Sequence, residues 1–382
     1  MALLIFPDLG CADVVQSSEV KGVRDFVEYW SASRLLLTGD NPYSPAELLS
    51  IQKTAGWSNA EPLIMWNPPW IFPFILLFGL MDFTSSQFLW LLAQTSFIII
   101  SAQLLWRING QLADGPLIPW LLALTFVSTG FVLIIGQITP LILLGVTLFI
   151  YFERQKNWFG IAIAITILSL KPHLSYLVWP VLALWIWQGK EWRTVFATVV
   201  LVACMAVIPL MFDRQIYSEY FALYRIGGIT KPLDWPTPTL GNMLKIFFDF
   251  DGASIQVIPS LIAVVWVLWY WQRHKQGWQW SVQLPLIVLV SVTTNFFVWT
   301  YDQVVFLPAL IQGASWLVRN RLPWYRSIAA LLYIGANLTH IVLRFLVADE
   351  LWYFWLAPTL LTAYFFYLWE SDHSLVTASS RV

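Results

Sequence analysis

Charge is scarce in this chain. Asp, Glu, Lys and Arg make up only 11% of its 382 residues, against roughly 25% in a soluble domain, so it cannot clothe a water-facing surface. The net charge of −1 offers no basic face for nucleic acid. The two cysteines, Cys11 and Cys204, are far apart in sequence. They form neither a disulfide framework nor a thiolate metal-ligand spacing, and no metal or other cofactor is called for. A Walker loop, a dinucleotide glycine fingerprint, a zinc-binding His-Glu helix and a Gly-x-Ser-x-Gly elbow are all missing, which leaves ATP-driven transport and soluble-type hydrolysis without apparatus. Internal repeats, low-complexity tracts and linkers are also lacking, which argues for one continuous domain.

What is abundant is apolar surface. Hydrophobic residues make up 58% of the chain and aromatics 17%, with 24 Trp and 14 Tyr, a supply suited to the interfacial belts of a bilayer. Apolar segments fall at 66–81, 86–106, 116–135, 138–152, 157–170, 174–189, 194–212, 254–272, 281–299, 303–318, 325–346 and 351–369. With about 20 apolar residues needed to span, the expectation is an all-α polytopic membrane protein of about 11 transmembrane helices, with a multispanning domain at 66–372 and a cytoplasmic tail at 373–382. The short segment 66–81 carries Pro68, Pro69 and Pro73 and is expected to be re-entrant, since broken backbone survives at membrane depth only where protein shields it.

Lys and Arg in short loops set the orientation. "ERQKN" (153–157), "GKEWR" (189–193), "QRHKQ" (272–276) and "RNRLPWYR" (319–326) are placed in the cytoplasm. "GQITP" (136–140), "KPH" (171–173), the long loop 213–253, "TYD" (300–302) and "ADE" (348–350) then fall on the outer face; segment 1–65 joins them where 66–81 is re-entrant, the expected case, and lies in the cytoplasm if 66–81 spans. "MALLIFPDLGC" has no basic flank and its apolar stretch stops at Pro7-Asp8, so it is expected to be neither a signal peptide nor a span.

The polar residues gather in few places. Asp25 and Glu28 lie at i, i+3 in "RDFVEYWSASRLLLTGDNPYSP" (24–45). The pattern predicts an amphipathic helix on the membrane surface, ended by Gly39, Pro42 and Pro45. Its acids are either solvated or held at the boundary as a base for a hydroxyl. "SLKPHLSYLVWP" (169–180) puts Lys171 and His173 at a proline break; the lysine either snorkels or, with the histidine, cradles a lipid-linked phosphate. Gln137 lies between two apolar segments, and Asn295, Tyr301, Asp302 and Gln303 fall in "TTNFFVWTYDQVVFLPAL" (293–310). Arg344 is out of place in "THIVLRFLV" and calls for an acid partner, whereas Arg225 and Lys231 in the long loop carry little weight.

In their order of appearance, "DFVEYWSASRLLLTGDNPYSP", "WNPPW", "GQITPLILL", "LKPHLSYLVWP", "TPTLG" and "WTYDQVVFLPAL" resemble the multispanning GT-C glycosyltransferases. The nearest group is the bacterial family 87 of polyprenyl-phosphate-mannose-dependent mannosyltransferases. The resemblance runs from about residue 24 to 310. It implies a GT-C-like bundle in the cell membrane that transfers a sugar, mannose by family default, with inversion on the extracytoplasmic face. The donor would be a polyprenyl-phosphate-linked sugar and the acceptor a lipid or glycan of the cell envelope, with membrane lipids around it and no nucleic acid. The family's acid maps onto Asp25 as catalytic base. Lys171, His173, Gln137, Asp302, Tyr29, Tyr43 and Asn41 form the expected donor- and substrate-binding set, without a metal. In two places the chain departs from the family pattern: no transmembrane helix stands before the acid, and Asn67-Pro68-Pro69 replaces aromatic-Pro-Pro. A rival reading, a transporter or flippase of a lipid-linked sugar, would also place charge at bilayer depth.

Overall fold

The computed structural model describes residues 24–110, 117–227, 235–249, 253–320, 323–347 and 350–379. Residues 1–23, with the expectations about the leader and Cys11, and Lys231 lie outside this set. The regular elements among the described residues are all helices. The first half of the chain forms α1 (Phe26–Thr38), α2 (Pro45–Thr54), α3 (Phe72–Gly79), α4 (Phe83–Ile108), α5 (Leu117–Thr125), α6 (Val127–Ile135), α7 (Thr139–Arg154), α8 (Trp158–Leu168) and α9 (Val178–Gly189). The second half forms α10 (Trp192–Leu210), α11 (Ile216–Leu223), α12 (Leu240–Phe247), α13 (Ala253–Gln256), α14 (Ile258–His274), α15 (Trp280–Thr294), α16 (Leu307–Asn320), α17 (Pro323–Leu346) and α18 (Leu356–Ser379). The expected tail at 373–382 starts as the last turns of α18, which run to Ser379.

Among the described residues, five helices are long and apolar enough to cross a bilayer: Phe83–Ile108, Trp192–Leu210, Ser254–Gly277, Trp324–Leu346 and Glu350–Glu370. Side chains such as Phe88, Phe196, Val199, Leu261 and Leu331 on these helices are exposed, as lipid-facing surface requires. These features make the chain a polytopic membrane protein. The other apolar segments, counted as spans in the expected total of about 11, form shorter or broken helices. Segment 116–135 divides at Phe126 into α5 and α6, bent by 64°. α17 supplies partners to both sides of the break: Asn337 Oδ1 accepts from Val127 N at 2.6 Å, and Tyr333 OH donates to Leu122 O at 2.8 Å. A break in an apolar surround persists only where the freed backbone groups are met in this way. Segment 66–81 yields a 3-10 turn, Pro69–Ile71, and the short α3, well below spanning length.

The expected surface helix is α1, but it is enclosed rather than interfacial. Phe26 through Ser33, with Leu35 and Leu36, are buried, and Arg34 and Thr38 are its exposed positions. α3 and α4 close over it, with Phe26 stacked on Trp90 at 5.3 Å and Phe78 edge-on to both rings, 5.7 Å from Phe26 and 5.1 Å from Trp90. Each such pair adds about 0.5–1.5 kcal/mol beyond area burial. The predicted stop at Gly39 is a Schellman turn: Gly39 has φ +81°, its N–H reaches Leu36 O, and Asp40 N reaches Leu35 O. Gln52 of α2 then ties the following chain back, donating to Leu63 O at 2.7 Å and to Ser31 Oγ at 3.1 Å and accepting from Leu63 N at 2.9 Å.

The polar loops separate by end. α7 starts beside Gln137 and finishes at Arg154, whose guanidinium donates to Ile108 O. Its 16 residues make a rod of about 24 Å between the polar loops at one end and the basic loops at the other. The loop 213–253 contributes α11, which docks through a hydrogen bond from Tyr220 OH to Trp66 O at 3.3 Å.

Two predictions follow from this packing. A Cβ on Gly79 would lie 2.8 Å from the Ser33 backbone carbon, so Gly79→Ala should force α1 from α3 at a cost of about 1–3 kcal/mol, lowering the melting temperature in detergent; an unchanged melt would contradict this close approach. Burial, together with the neighbouring Asp213 carboxyl, raises Glu219 in α11 to about 7. Its stabilising contribution is full below the ordinary glutamate value and is lost as pH rises through about 7. Glu219→Gln should therefore raise the melting temperature at pH 8 and leave it unchanged at pH 4, and melts across pH will read the difference.

Candidate active site

Asp25 occupies the N-cap position of α1. An aspartate there ordinarily turns back onto the first amides of its helix, but no such bond is made. The backbone N–H of Asp25 donates instead to Ile135 O at 2.6 Å, pinning α1 to the end of α6, and its carboxylate is left to face Gln137.

Gln137 is delivered by a tight reversal. α6 ends on Gly136 at φ +84°, and Thr139-Pro140 opens α7. Two side chains of α4 hold the turn: Trp90 Nε1 donates to Gly136 O at 2.7 Å, and Gln94 Nε2 donates to Gln137 O. The Gln137 amide is therefore fixed in place. Its Nε2 donates to Asp25 Oδ2 at 2.9 Å and to Glu28 Oε1 at 3.3 Å, while its Oε1 accepts from Tyr29 OH at 2.8 Å.

The two carboxyls thus share one amide in a buried place. Burial raises Asp25, opposed by the positive charges of Arg24 and Lys171 and by the Gln137 bond. Glu28 rises well above its ordinary value through burial and the charge of Asp25. Both carboxyls are thus pushed toward the protonated form, Glu28 the further of the two.

One step along α7, a second buried group forms. Lys171 Nζ lies 2.6 Å from Asp302 Oδ1 and donates to Thr139 Oγ1 at 3.2 Å. Thr139 Oγ1 donates to Asp302 Oδ1 at 2.7 Å, and Trp299 N reaches Asp302 Oδ2 at 3.1 Å. Lys171 also sits 5.1 Å from the ring of Tyr301. The lysine closes α8 ahead of the 3-10 turn Pro172–Ser175, where Asn67 Nδ2 and Trp70 Nε1 of the "WNPPW" stretch donate to Leu170 O and Ser169 O, each at 3.3 Å. Asp302 lies in another buried 3-10 turn, Thr300–Phe306, rather than in a wet loop.

Asp25, Tyr29 and Gln137 therefore meet directly, and Lys171 and Asp302 join them through the first residues of α7. His173 stands apart: its ring packs 5.6 Å from Phe297, its carbonyl accepts from Asn295 Nδ2 at 2.5 Å, and burial followed by the Lys171 charge lowers it to about 4. It is neutral near pH 7 and adds no positive charge. Tyr43 OH donates to Asn67 O at 3.3 Å and its ring packs 5.3 Å from that of Tyr220, while Asn41 Oδ1 accepts from Tyr43 N at 2.8 Å in a local turn. Thr139 and Gln94 escaped the sequence reading. Thr139 stands two residues after Gln137 in "GQITP", which was its available signal. Gln94 sits in an apolar helix with no motif around it. Arg344 has the acid partner its position demanded, Glu350 Oε1 at 3.2 Å.

An all-helical membrane chain with a buried acid pair and a buried lysine–aspartate pair at one end of its bundle has the outline of an intramembrane enzyme. The family model for glycosyltransferase family 87 matches residues 66–250, a stretch that includes Gln137, Thr139 and Lys171. The match spans just under half of the chain and supports its reading as a glycosyltransferase of family 87. No curated protein and no solved structure matches it.

Gln137→Leu would remove the donor shared by both carboxyls. The loss should lower stability by about 1–3 kcal/mol and raise Asp25 further, moving the acidic limb of the transfer-rate pH profile to higher pH. A profile that stays in place would separate Gln137 from the ionisation of Asp25.

Proposed function

We propose that the chain is an inverting GT-C-type transferase that moves a hexose, mannose by family, from a polyprenyl phosphate to a hydroxyl of a lipid-linked or cell-envelope acceptor on the extracytoplasmic face. The observation that carries this reading is the acid pair joined by Gln137, half-buried Asp25 beside buried Glu28.

In the proposed reaction the acceptor oxygen attacks the anomeric carbon as the bond from that carbon to the phosphate oxygen breaks. The acceptor's proton passes to Asp25, and the electron pair leaves with the polyprenyl phosphate. That phosphate is already a stable anion, so its departure calls for no general acid. General-base help of this kind contributes roughly 10²–10⁴-fold. Gln137, oriented by Tyr29, holds the Asp25 carboxylate in line. Lys171 faces the leaving phosphate while Asp302 and Thr139 position it, a fixed charge in a water-poor setting where it counts for most. His173 acts as an uncharged hydrogen-bonding group at the edge of this region. Tyr43 and Asn41 belong to the turn that shapes the approach for the sugar.

Placement on the outer face is supported by the gathering of Gln137, Lys171 and Asp302 at the end of the bundle opposite the basic loops. The expected result in membranes supplied with radiolabelled polyprenyl-phosphate-mannose and extracted envelope lipid is transfer by the unmodified chain, with at least a roughly 100-fold loss in Asp25→Asn at equal membrane level. Equal rates would remove Asp25 from the mechanism. A rate that does not fall as the pH is lowered would do the same, because activity that needs the Asp25 carboxylate is lost as pH drops through its raised value.

A further inference from the structure

Arg24 stands immediately before the acid that the proposed reaction uses as its base, yet that reaction gives it no task. Its guanidinium lies over the ring of Trp57, 5.8 Å from the centroid. The ring is held in place: Trp57 Nε1 donates to Glu61 O at 2.8 Å, and Val27 of α1 packs against it. A guanidinium stacked on an aromatic face keeps its N–H edge turned outward for an anion. Among the described residues, no hydrogen bond or ion pair ends on Arg24, and its Nε is buried without an acceptor. A buried donor in that condition costs free energy that an arriving acceptor would recover.

The charges around Asp25 give this cation its meaning. Arg24, Lys171 and Asp302 all act on Asp25 electrostatically. Lys171 and Asp302 neutralise one another at 2.6 Å. Glu350, another acid within reach of Arg24, is bound by Arg344 at 3.2 Å. Arg24 therefore keeps a positive charge that no contacting carboxylate offsets. Access lies on the same side. Glu28, Tyr29, Gln137, Lys171 and Asp302 are buried, whereas the neighbours Arg24 and Asp25 are half-buried. The acid pair is open where the guanidinium surfaces, and an acceptor reaches Asp25 past it.

Displacement with inversion puts the attacking oxygen and the leaving phosphate on opposite sides of the anomeric carbon. A group beside the base thus meets the acceptor, while one facing the leaving group meets the donor. The arginine fork matches phosphate through two parallel hydrogen bonds, and phosphate is the common anion of a membrane-lipid headgroup. We propose that Arg24 binds a phosphate carried by the acceptor and so restricts transfer to anionic acceptors. The proposal rests on the glycosyl-transfer reading and narrows its acceptor class.

Melting of the full-length protein in detergent tests the site without turnover. The added lipid is phosphatidylglycerol or the uncharged monogalactosyldiacylglycerol, and a lipid that binds the native state raises the melting temperature. The unmodified protein should gain more from phosphatidylglycerol. Arg24→Gln should lose that difference while melting normally without lipid, and Arg24→Lys, which keeps the charge but not the fork, should retain part of it. Equal gains from both lipids, or an undiminished gain in Arg24→Gln, would overturn the site. A lower melting temperature of Arg24→Gln without lipid would mark a structural role and overturn it too.

Transfer kinetics then test the acceptor, with envelope lipid parted by anion exchange into anionic and neutral fractions. The anionic fraction should be the substrate. Arg24→Gln should raise its KM roughly 10-fold and leave the KM for polyprenyl-phosphate-mannose unchanged. Transfer to the neutral fraction alone, or a raised donor KM in its place, would overturn the assignment. So would a fall in kcat with both KM values unchanged, the pattern of a charge acting on Asp25 alone. Absence of transfer by the unmodified protein counts against the glycosyl-transfer reading, and the melts judge Arg24 separately.

Discussion

A helix that breaks inside an apolar surround frees amides and carbonyls that lipid cannot solvate. This constraint organises the molecule. At each break a side chain from a distant helix takes the freed group. Asn337 meets the amide at Val127; Trp90 and Gln94 meet the carbonyls of Gly136 and Gln137. Ser291 accepts from Leu177 N at 3.2 Å, and Asn295 donates to the carbonyl of His173. The same breaks present Gln137, Thr139, Lys171 and Asp302. Polar chemistry and broken backbone occupy the same end of the bundle because each needs the other's hydrogen-bonding capacity.

The electrostatics follow from that sharing. Three buried ionisable side chains, Glu28, Lys171 and Asp302, and the half-buried Asp25 gather around the start of α7. Lys171 and Asp302 compensate one another directly. The acids of α1 have no comparable cation in contact, only the amide of Gln137 and the more distant charges of Arg24 and Lys171. One pair is thus electrically closed and rigid, and the other keeps a poised proton. A carboxylate held without a full counterion in a water-poor place is a stronger proton acceptor than one in water.

Much of this was legible in the sequence because membrane chains punish stray polar residues, so each one that survives draws notice. Asp25, Gln137, Lys171 and Asp302 were visible for that reason, and Arg344's need for an acid likewise. The spans were less legible. An apolar run such as 116–135 carries no proline or glycine at its break, and the cause of the bend, the Asn337 cap, lies 210 residues away. The enclosure of α1 was hidden because Glu28, Ser31 and Ser33 are as polar as the exposed face of a surface helix, yet they point into protein. Whether a polar side chain meets water or another side chain is decided by tertiary neighbours that local pattern does not encode.

Several of the hydrogen bonds that build the acid site join residues 108 to 163 positions apart. In the language of biosynthesis, Lys171 leaves the ribosome 131 residues before the aspartate that neutralises it, and Asp25 waits 112 residues for its glutamine. Because α17 caps α6, the last third of the chain completes a site whose acid lies near its front. Contacts this distant form slowly, so the polar cluster is complete only once the last third of the chain has packed.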